Sequence, residues 1–324
     1  MSVTFAGSPG RIEARLVPEA GYPFDSFEIS GFPRRPGPRL AGALWRAAKA
    51  PFECSRILAR RRPDVVLGGG GYVAGPMVLA AAMRRIPAGL TEADAHLGLA
   101  NRLAAPFARR IFLAFPVEGR TGGKYLVTGR PVPARSRAGT REEGRRLFGL
   151  PAEGPVLLVF GGSQGAQSLN ELAVSQWAEA GPTVLHLCGE RDFPALEPRV
   201  RRPGYRLLAY TNDFGAALAA GDLVLARSGG SVFELAAAGK PAVLVPYPHA
   251  TSDHQTKNAR YFEEAGGAVV VPENELARVP PLVEELLADP ERLAPMGEAM
   301  RAAARLDAAD VIAEELIAIA TAGR

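Results

Sequence analysis

Short apolar runs alternate with stretches in which apolar residues recur every three or four positions, and this rhythm persists through most of the chain. Runs of four to six residues bounded by Gly, Pro, Asn or Asp are too short for buried helices. They fit strands covered on both faces of a parallel sheet, joined by crossing helices. In the first half the pattern predicts strands near Val3–Ala6, Phe24–Ile29, Val65–Gly68, Ala88–Thr91, Ile111–Ala114 and Leu126–Thr128. In the second half it predicts them near Val156–Phe160, Thr183–Leu187, Arg206–Tyr210, Leu223–Ala226, Ala242–Pro246 and Ala268–Val271. The Ala-, Glu- and Arg-rich tail from Pro280 to Ala322 reads as helix throughout. The expectation is an α/β protein of two Rossmann-like, doubly wound parallel-sheet domains facing across a cleft, with ligand at the carboxyl ends of the strands. The domains are placed at 1–135 and 136–308, with a helix over 309–324 packing back on the first. The segment Pro131-Val-Pro-Ala-Arg135, with the charged Thr140-Arg-Glu-Glu143 after it, reads as the linker.

The most telling stretch is Val156-Leu-Leu-Val-Phe-Gly161-Gly-Ser-Gln-Gly165-Ala, followed by a helical pattern. Strand, glycine turn and helix start leave unpaired N–H groups aimed at one point, at the positive end of a helix dipole, which suits a phosphate. Gly161 and Gly162 permit close approach, and Ser163 and Gln164 add donors. Three further loops end strands of the same half. Tyr210-Thr211-Asn-Asp-Phe214 offers backbone groups to a flat base, with Phe214 to pack on it. Arg227-Ser-Gly229-Gly230-Ser231-Val-Phe-Glu234 offers a second amide-rich turn, with Glu234 poised for ribose hydroxyls. In Pro246–Asn258, Gln255 and Asn258 share a helix face and can bind sugar hydroxyls. Singly each loop is an ordinary turn or cap; together they describe a diphosphate, ribose and sugar site.

Composition narrows the picture. Hydrophobic residues at 47% and charged ones at 22% over 324 residues describe a globular chain with room for two cores. Cys54 and Cys188 match no metal or redox spacing and read as packing residues of a reducing cytoplasm. The uncharged stretch Val65–Met83 has the length of a membrane span, but its glycines and Pro76 divide it into strand, loop and helix. Charge is uneven: residues 1–135 hold 20 Lys and Arg against 9 Asp and Glu, while the remainder holds 18 against 25. Nine of those cations fall between Arg34 and Arg62, among Leu40, Leu44, Trp45, Arg46, Lys49 and Phe52. This is an amphipathic helix that either packs on the sheet or rests on an anionic membrane surface. Nucleic acid is disfavoured, because no aromatic-interleaved platform accompanies the charge.

The strings Gly161-Gly-Ser-Gln-Gly-Ala, Arg227-Ser-Gly, Glu234-Leu-Ala-Ala-Ala-Gly-Lys-Pro and Pro246-Tyr-Pro-His with Asp253-His-Gln-Thr-Lys-Asn together resemble the MurG family of GT-B glycosyltransferases. Pro63-Asp-Val-Val-Leu-Gly-Gly-Gly-Gly-Tyr-Val-Ala-Gly-Pro76 is similar to that family's second glycine loop, and the resemblance spans almost the full chain. It implies inverting transfer of N-acetylglucosamine from UDP-N-acetylglucosamine to an undecaprenyl-pyrophosphoryl muramoyl-pentapeptide, lipid I to lipid II, by a peripheral enzyme at the cytoplasmic face of the cell membrane. Partners among cell-wall synthesis proteins belong to the same implication. Ser163 and Gln164 would lie near the diphosphate, Thr211 near uracil, Glu234 on ribose, and Gln255 with Asn258 on the donor sugar. Gly70, Gly71, Tyr72 and Arg130 become acceptor or phosphate candidates. No metal and no cofactor are expected, since the UDP-sugar is a substrate.

Several positions depart from the family. Its opening Gly-Gly-Thr-Gly-Gly-His loop, source of the favoured base, has no counterpart, and Met1–Glu13 resembles the family's second strand and helix. A first strand of such a domain sits mid-sheet, and each unpaired buried amide costs about 1–3 kcal/mol. One strand-loop-helix unit is therefore expected upstream of the given start. The family's His-Glu-Gln-Asn reads Thr91-Glu92-Ala93-Asp94, leaving Glu92, Asp94 and His96 as weak base candidates. Its Gly-Asn-Pro-Val-Arg reads Gly129-Arg130-Pro-Val-Pro133, so a cation stands three positions earlier, and the Arg227–Glu234 loop is one residue shorter. Alternatives are transfer of a hexose to diacylglycerol, a catalytically impaired UDP-sugar binder, and, far behind, an NAD-dependent oxidoreductase.

Overall fold

The structure is a computed structural model that describes residues 2–31, 38–162 and 165–322, with side chains for all of these except 38–41. It divides into two compact units, 1–128 with 310–324, and 129–309.

In the first unit the strands are β1 (Phe5–Gly7), β2 (Phe24–Ser26), β3 (Val66–Gly68), β4 (Ala88–Glu92), β5 (Arg110–Leu113) and β6 (Tyr125–Val127). Its helices are α1 (Glu13–Glu19), α2 (Pro38–Arg61), α3 (Gly71–Met83) and α4 (Leu99–Ala104). All pairings are parallel, but the sheet comes in two pieces, β1-β2 and β3-β4-β5-β6. Among the described residues β1 and β3 exchange no ladder bonds, and Leu67 on β3 is 43% exposed. The Val65–Met83 stretch folds as strand, glycine turn and helix, and among the described residues no helix is long and apolar enough to cross a membrane.

The second unit carries α5 (Arg141–Phe148), β7 (Val156–Phe160), α6 (Gln167–Trp177), β8 (Thr183–Leu187), α7 (Phe193–Leu196), β9 (Tyr205–Leu208) and α8 (Phe214–Ala220). It continues with β10 (Leu223–Ala226), α9 (Val232–Ala237), β11 (Ala242–Leu244), α10 (His254–Glu264), β12 (Ala268–Val270), α11 (Val279–Leu287) and α12 (Pro290–Ala303). The last helix, α13 (Ala308–Thr321), joins the first unit, where Glu315 pairs with Arg110 at 2.8 Å and Leu316 lies against Gly89. The tail is thus three helices, with Arg305 at φ +49° in the break before α13.

The second sheet has the order β12-β11-β10-β7-β8-β9, entirely parallel. Its two halves run outward from β7 and β10, which is the doubly wound arrangement. Leu157, Val159, Leu223, Leu225 and Val243 are fully buried, because helices cover both faces and each strand is apolar on both sides.

The linker expectation needs correction. Thr140 caps α5 in a capping box with Glu143, and Gly149 ends it in the left-handed region at φ +66°. A methyl on Gly144 would sit 2.4 Å from the Ala216 carbonyl, so α5 packs closely on α8. The boundary also moves from 135 to 128, since residues 129–135 lie against the second unit: Gly129 meets Arg305, and the Arg135 carbonyl meets Gly215.

Candidate functional site

In a doubly wound sheet, loops diverge where the winding reverses and leave a crevice at the strands' carboxyl ends. Here that point falls between β7 and β10, so the loops after Phe160 and after Ala226 flank it. A cavity of about 1220 Å³ opens there. Gly161, Gly162, Thr211, Gly229, Gly230, Ser231, Glu234 and Gln255 line it, as do Phe160, Phe214, Arg135 and Ser136. Residues scattered over a hundred positions of sequence meet at one edge because parallel strands deliver every loop to the same end.

The first loop is folded tightly. Gly162 and Gly165 adopt φ of +93° and +73°, and a methyl on Gly165 would lie 2.2 Å from the Cys188 carbonyl. A methyl on Gly161 would come within 2.3 Å of Ala166 Cβ. No side chain caps α6, whose N-cap is Ala166, so its first amides remain available to an anion. Ser163 and Gln164 lie outside the described residues.

Beneath this loop is a buried polar chain that sequence reasoning did not assemble. Asn170 on α6 donates to the Cys188 carbonyl (2.8 Å) and to Asp192 (2.9 Å), so its Oδ1 accepts from His186 Nε2 (3.0 Å). That leaves His186 Nδ1 to accept from the Tyr205 hydroxyl at 2.7 Å. Burial pushes the His186 pKa down to about 3, so the ring is neutral.

The second loop is braced from below. Arg227, almost buried, donates to the carbonyls of Val245 and Pro246 (both 3.1 Å) and to Ser168 Oγ (2.8 Å), and it pairs with Glu273. Burial pushes the Glu273 carboxyl up, but hydrogen bonds from Arg227 and Ser168 outweigh it and hold it below its ordinary value. Ser228 donates to the Gln255 carbonyl (2.7 Å), and Gln255 Oε1 accepts from the Tyr247 N–H (2.9 Å), leaving its amide nitrogen 3.7 Å from the position of a Gly229 methyl. Glu234, one turn into α9, accepts 2.6 Å from Ser136, a residue the sequence did not single out.

Asn258 departs from expectation. Asn258 is 1% exposed and donates to the Ser228 carbonyl at 3.2 Å, so it supports the loop from behind and does not line the cavity. Phe214 packs edge-to-face on Phe160 at 5.0 Å and forms a wall, while Thr211 Oγ1 accepts from the Asp213 N–H at 3.0 Å.

Residues 1–113 match the glycosyltransferase family 28 N-terminal domain and residues 156–312 its C-terminal domain. The protein of Rubrobacter xylanophilus named UDP-N-acetylglucosamine--N-acetylmuramyl-(pentapeptide) pyrophosphoryl-undecaprenol N-acetylglucosamine transferase is 38% identical over 328 residues, covering 99% of this chain and 96% of its own. The equivalent protein of Acidithiobacillus ferrooxidans is 40% identical over 331 residues, covering 98% and 89%. The crystal structure of Acinetobacter baumannii MurG superposes with a TM-score of 0.77 at 27% identity, over 97% of this chain and 90% of that one. The chain belongs to the MurG family.

The family's second glycine loop leads into α3 in the first unit. Gly70 and Gly71 turn at φ +91° and +67°, no side chain caps the helix, and Tyr72 receives a 3.0 Å hydrogen bond from Arg11. Where MurG members carry His-Glu-Gln-Asn, Glu92 is 8% exposed. Its carboxylate accepts from the N–H groups of Ala93 (3.0 Å), Asp94 (3.4 Å) and Gly98 (2.9 Å) and from Asn101 (2.9 Å). Four donors occupy it as the brace of the 93–98 loop, which removes it as a base candidate. Asp94 and His96 lie on the braced loop.

On α2, Leu44, Trp45 and Phe52 are 55%, 64% and 64% exposed, and Lys49 lies 5.1 Å above the Trp45 ring. Arg46 instead turns back to Ser30 at 3.1 Å, and the Leu40 side chain lies outside the described residues. Helix α4 adds exposed Leu99 and Leu103, which sequence reading passed over because a six-residue helix carries little periodic signal.

Proposed function

We propose that this protein transfers N-acetylglucosamine from UDP-N-acetylglucosamine to a hydroxyl of an undecaprenyl-pyrophosphoryl muramoyl-pentapeptide, with inversion at the anomeric carbon. The single observation carrying the proposal is the cavity at the β7/β10 switch point, where two glycine turns meet Glu234 and Gln255. The names of its relatives supply the substrate pair.

In this reading the Gly161–Gly165 turn and the open start of α6 receive the diphosphate, as do Gly229, Gly230 and Ser231. Glu234, held by Ser136, accepts from the ribose hydroxyls; Thr211 and its loop meet the uracil. Gln255 Nε2 reaches the sugar, and Asn258 keeps the Ser228–Gly229 turn in place from behind. The acceptor hydroxyl oxygen bonds to C1 and gives up its proton to water, the C1–O bond to the diphosphate breaks, and its electron pair leaves with UDP. The uncapped start of α3, with Gly70, Gly71 and Tyr72, suits the pyrophosphate of the acceptor. The exposed Leu44, Trp45 and Phe52 beside Lys49 support binding of the protein at an anionic membrane surface, where that acceptor resides.

The decisive experiment supplies radiolabelled UDP-N-acetylglucosamine with either a short-chain lipid I analogue or diacylglycerol. Label in the lipid I product supports the assignment. Label in diacylglycerol alone transfers it to the rival lipid glycosyltransferase reading, and label in neither defeats it.

A further inference from the structure

Arg130 stands at the entry to the second unit, just after Gly129, whose φ of +79° turns the chain beneath Arg305. Its guanidinium lies directly against Gly230: a methyl built there would fall 2.6 Å from Nη1 and 3.3 Å from Cζ and Nη2. Gly230 lines the cavity. Arg130 is half-buried, and no hydrogen bond or ion pair engages it among the described residues. Arg227, at the head of the same loop, is the opposite case: two carbonyls, Ser168 and Glu273 consume its donors. Glu234, the carboxylate on the neighbouring helix, is engaged by Ser136.

A guanidinium that no described group engages keeps its donors for an anion. Its planar fork suits phosphate oxygens, and the adjacent turn presents peptide N–H groups to the same space. We propose that Arg130 is the cation of the donor diphosphate site, contacting the pyrophosphate across Gly230. This assigns it to the donor and not to the acceptor, and it rests on the UDP-sugar reading of the cavity. When the C1–O bond breaks, the bonding pair passes to the departing diphosphate oxygen. Arg130 balances that charge electrostatically and transfers no proton. The absence of a side chain at Gly230 is what lets the guanidinium reach the turn.

The test is calorimetry of the full chain with UDP and with uridine as separate probes, for wild type, Arg130→Ala, Arg130→Lys, Gly230→Ala and the double variant. Loss of a charge-assisted contact predicts that Arg130→Ala weakens UDP by about 10–100-fold, that uridine binding is unchanged, and that Arg130→Lys recovers only part of the loss. The Gly230 methyl should displace the guanidinium, so the double variant should lose little more than Arg130→Ala alone. Melting curves check that each variant is folded. Wild type binding UDP more tightly than uridine, with Arg130→Ala equal to wild type on both, would overturn the proposal while leaving the donor site intact. Additive losses in the double variant would also count against it, since they would mean that Arg130 and Gly230 act separately. Wild type binding neither probe would bring down the donor reading and this inference together.

Discussion

Ser136 donates a 2.6 Å hydrogen bond to Glu234 Oε1, joining the first helical turn after the unit boundary to the helix that follows β10. Ser136 is 3% exposed, and both residues line the cavity. The hydroxyl therefore fixes one carboxylate oxygen of Glu234 and leaves the other for a ligand. Ser136→Ala should raise KM for UDP-N-acetylglucosamine about fivefold to tenfold, the worth of a hydrogen bond of about 1–1.5 kcal/mol, with kcat little changed. Steady-state kinetics read both numbers. An unchanged KM would show that Glu234 needs no such anchor.

The two positive-φ glycines of the first turn separate strain from collision. Gly162→Ala adds a methyl that meets none of the described residues within 4 Å, so only the backbone cost of about 1–2 kcal/mol applies. Gly165→Ala must add that cost to a contact 2.2 Å from the Cys188 carbonyl, which the Asn170 amide already holds in place. Gly165→Ala should therefore melt at a clearly lower temperature than Gly162→Ala and lose more UDP affinity. Equal melting points for the pair would contradict the collision argument.

The membrane reading makes its own demand. Replacing exposed Trp45 and Phe52 with Asp leaves the core untouched but removes two large apolar anchors, each worth about 1.5–3 kcal/mol when fully buried. Cosedimentation with vesicles containing anionic lipid should fall more than tenfold, while UDP binding stays as in wild type. Undiminished cosedimentation would move the attachment surface elsewhere.

Legibility from sequence followed the physics of each signal. The twelve runs all became strands, with ends moving by at most three residues, and the signal was plainest in β7 and β10, which are buried on both faces and apolar at every position. Glycine turns were equally plain, since Gly165 leaves no room for a side chain. What stayed hidden were contacts between residues remote in sequence. Ser136 reaches Glu234 across 98 positions, and nothing local marks that serine. Asn258 looked like a sugar ligand because its helix face is shared with Gln255, but burial of the same face turns it to the Ser228 carbonyl. Glu92 looked like a base because three of its four donors are backbone N–H groups of a loop whose path no periodicity encodes, and the fourth is Asn101 on α4. The capped helix at Thr140 read as linker because five of its eight residues are charged and only Leu147 and Phe148 are large and apolar.

The neutral, buried His186 ties stability to pH. The unfolded chain takes up a proton near the ordinary value of 6.5, whereas the folded ring resists until about 3. Its contribution is complete above pH 6.5 and is lost as pH falls toward the folded value. Between pH 6.5 and 5 the loss amounts to about 2 kcal/mol, at 1.36 kcal/mol per unit. The depressed carboxylates Asp25, Asp192 and Glu273 act mainly below that window. Urea titrations at pH 7 and pH 5 should show the drop in wild type and a much smaller one in His186→Gln. Parallel slopes in the two proteins would exclude this histidine as the source.

Arg145 is a buried side chain that ties several elements of the second unit together. It is 1% exposed and donates to the carbonyls of Pro151 (3.2 Å), Ala152 (2.7 Å), Gly154 (2.8 Å) and Ala220 (3.4 Å), and to Asp222 at 2.7 Å. Asp222 in turn accepts 2.7 Å from the N–H of Val156, the first residue of β7, and 3.0 Å from Arg141. One guanidinium thus pins α5, the turn before β7 and the end of α8, and so the start of the strand that leads into the Gly161 turn. Arg145→Leu takes a donor from four carbonyls and from Asp222, which keeps only Val156 and Arg141, and breaking a buried pair in this way costs about 3–5 kcal/mol. In a unit of this size that is a fall in melting temperature of about 6–20 °C. Arg145→Lys should recover little, because a single ammonium cannot reach five acceptors spread around a planar fork. Asp222→Asn keeps one acceptor for Val156 and for Arg145 and should cost less than Arg145→Leu. A melting point for Arg145→Leu within 2 °C of wild type, at the lower edge of what about 1 kcal/mol produces, would mean that water satisfies these carbonyls and that the pin is dispensable.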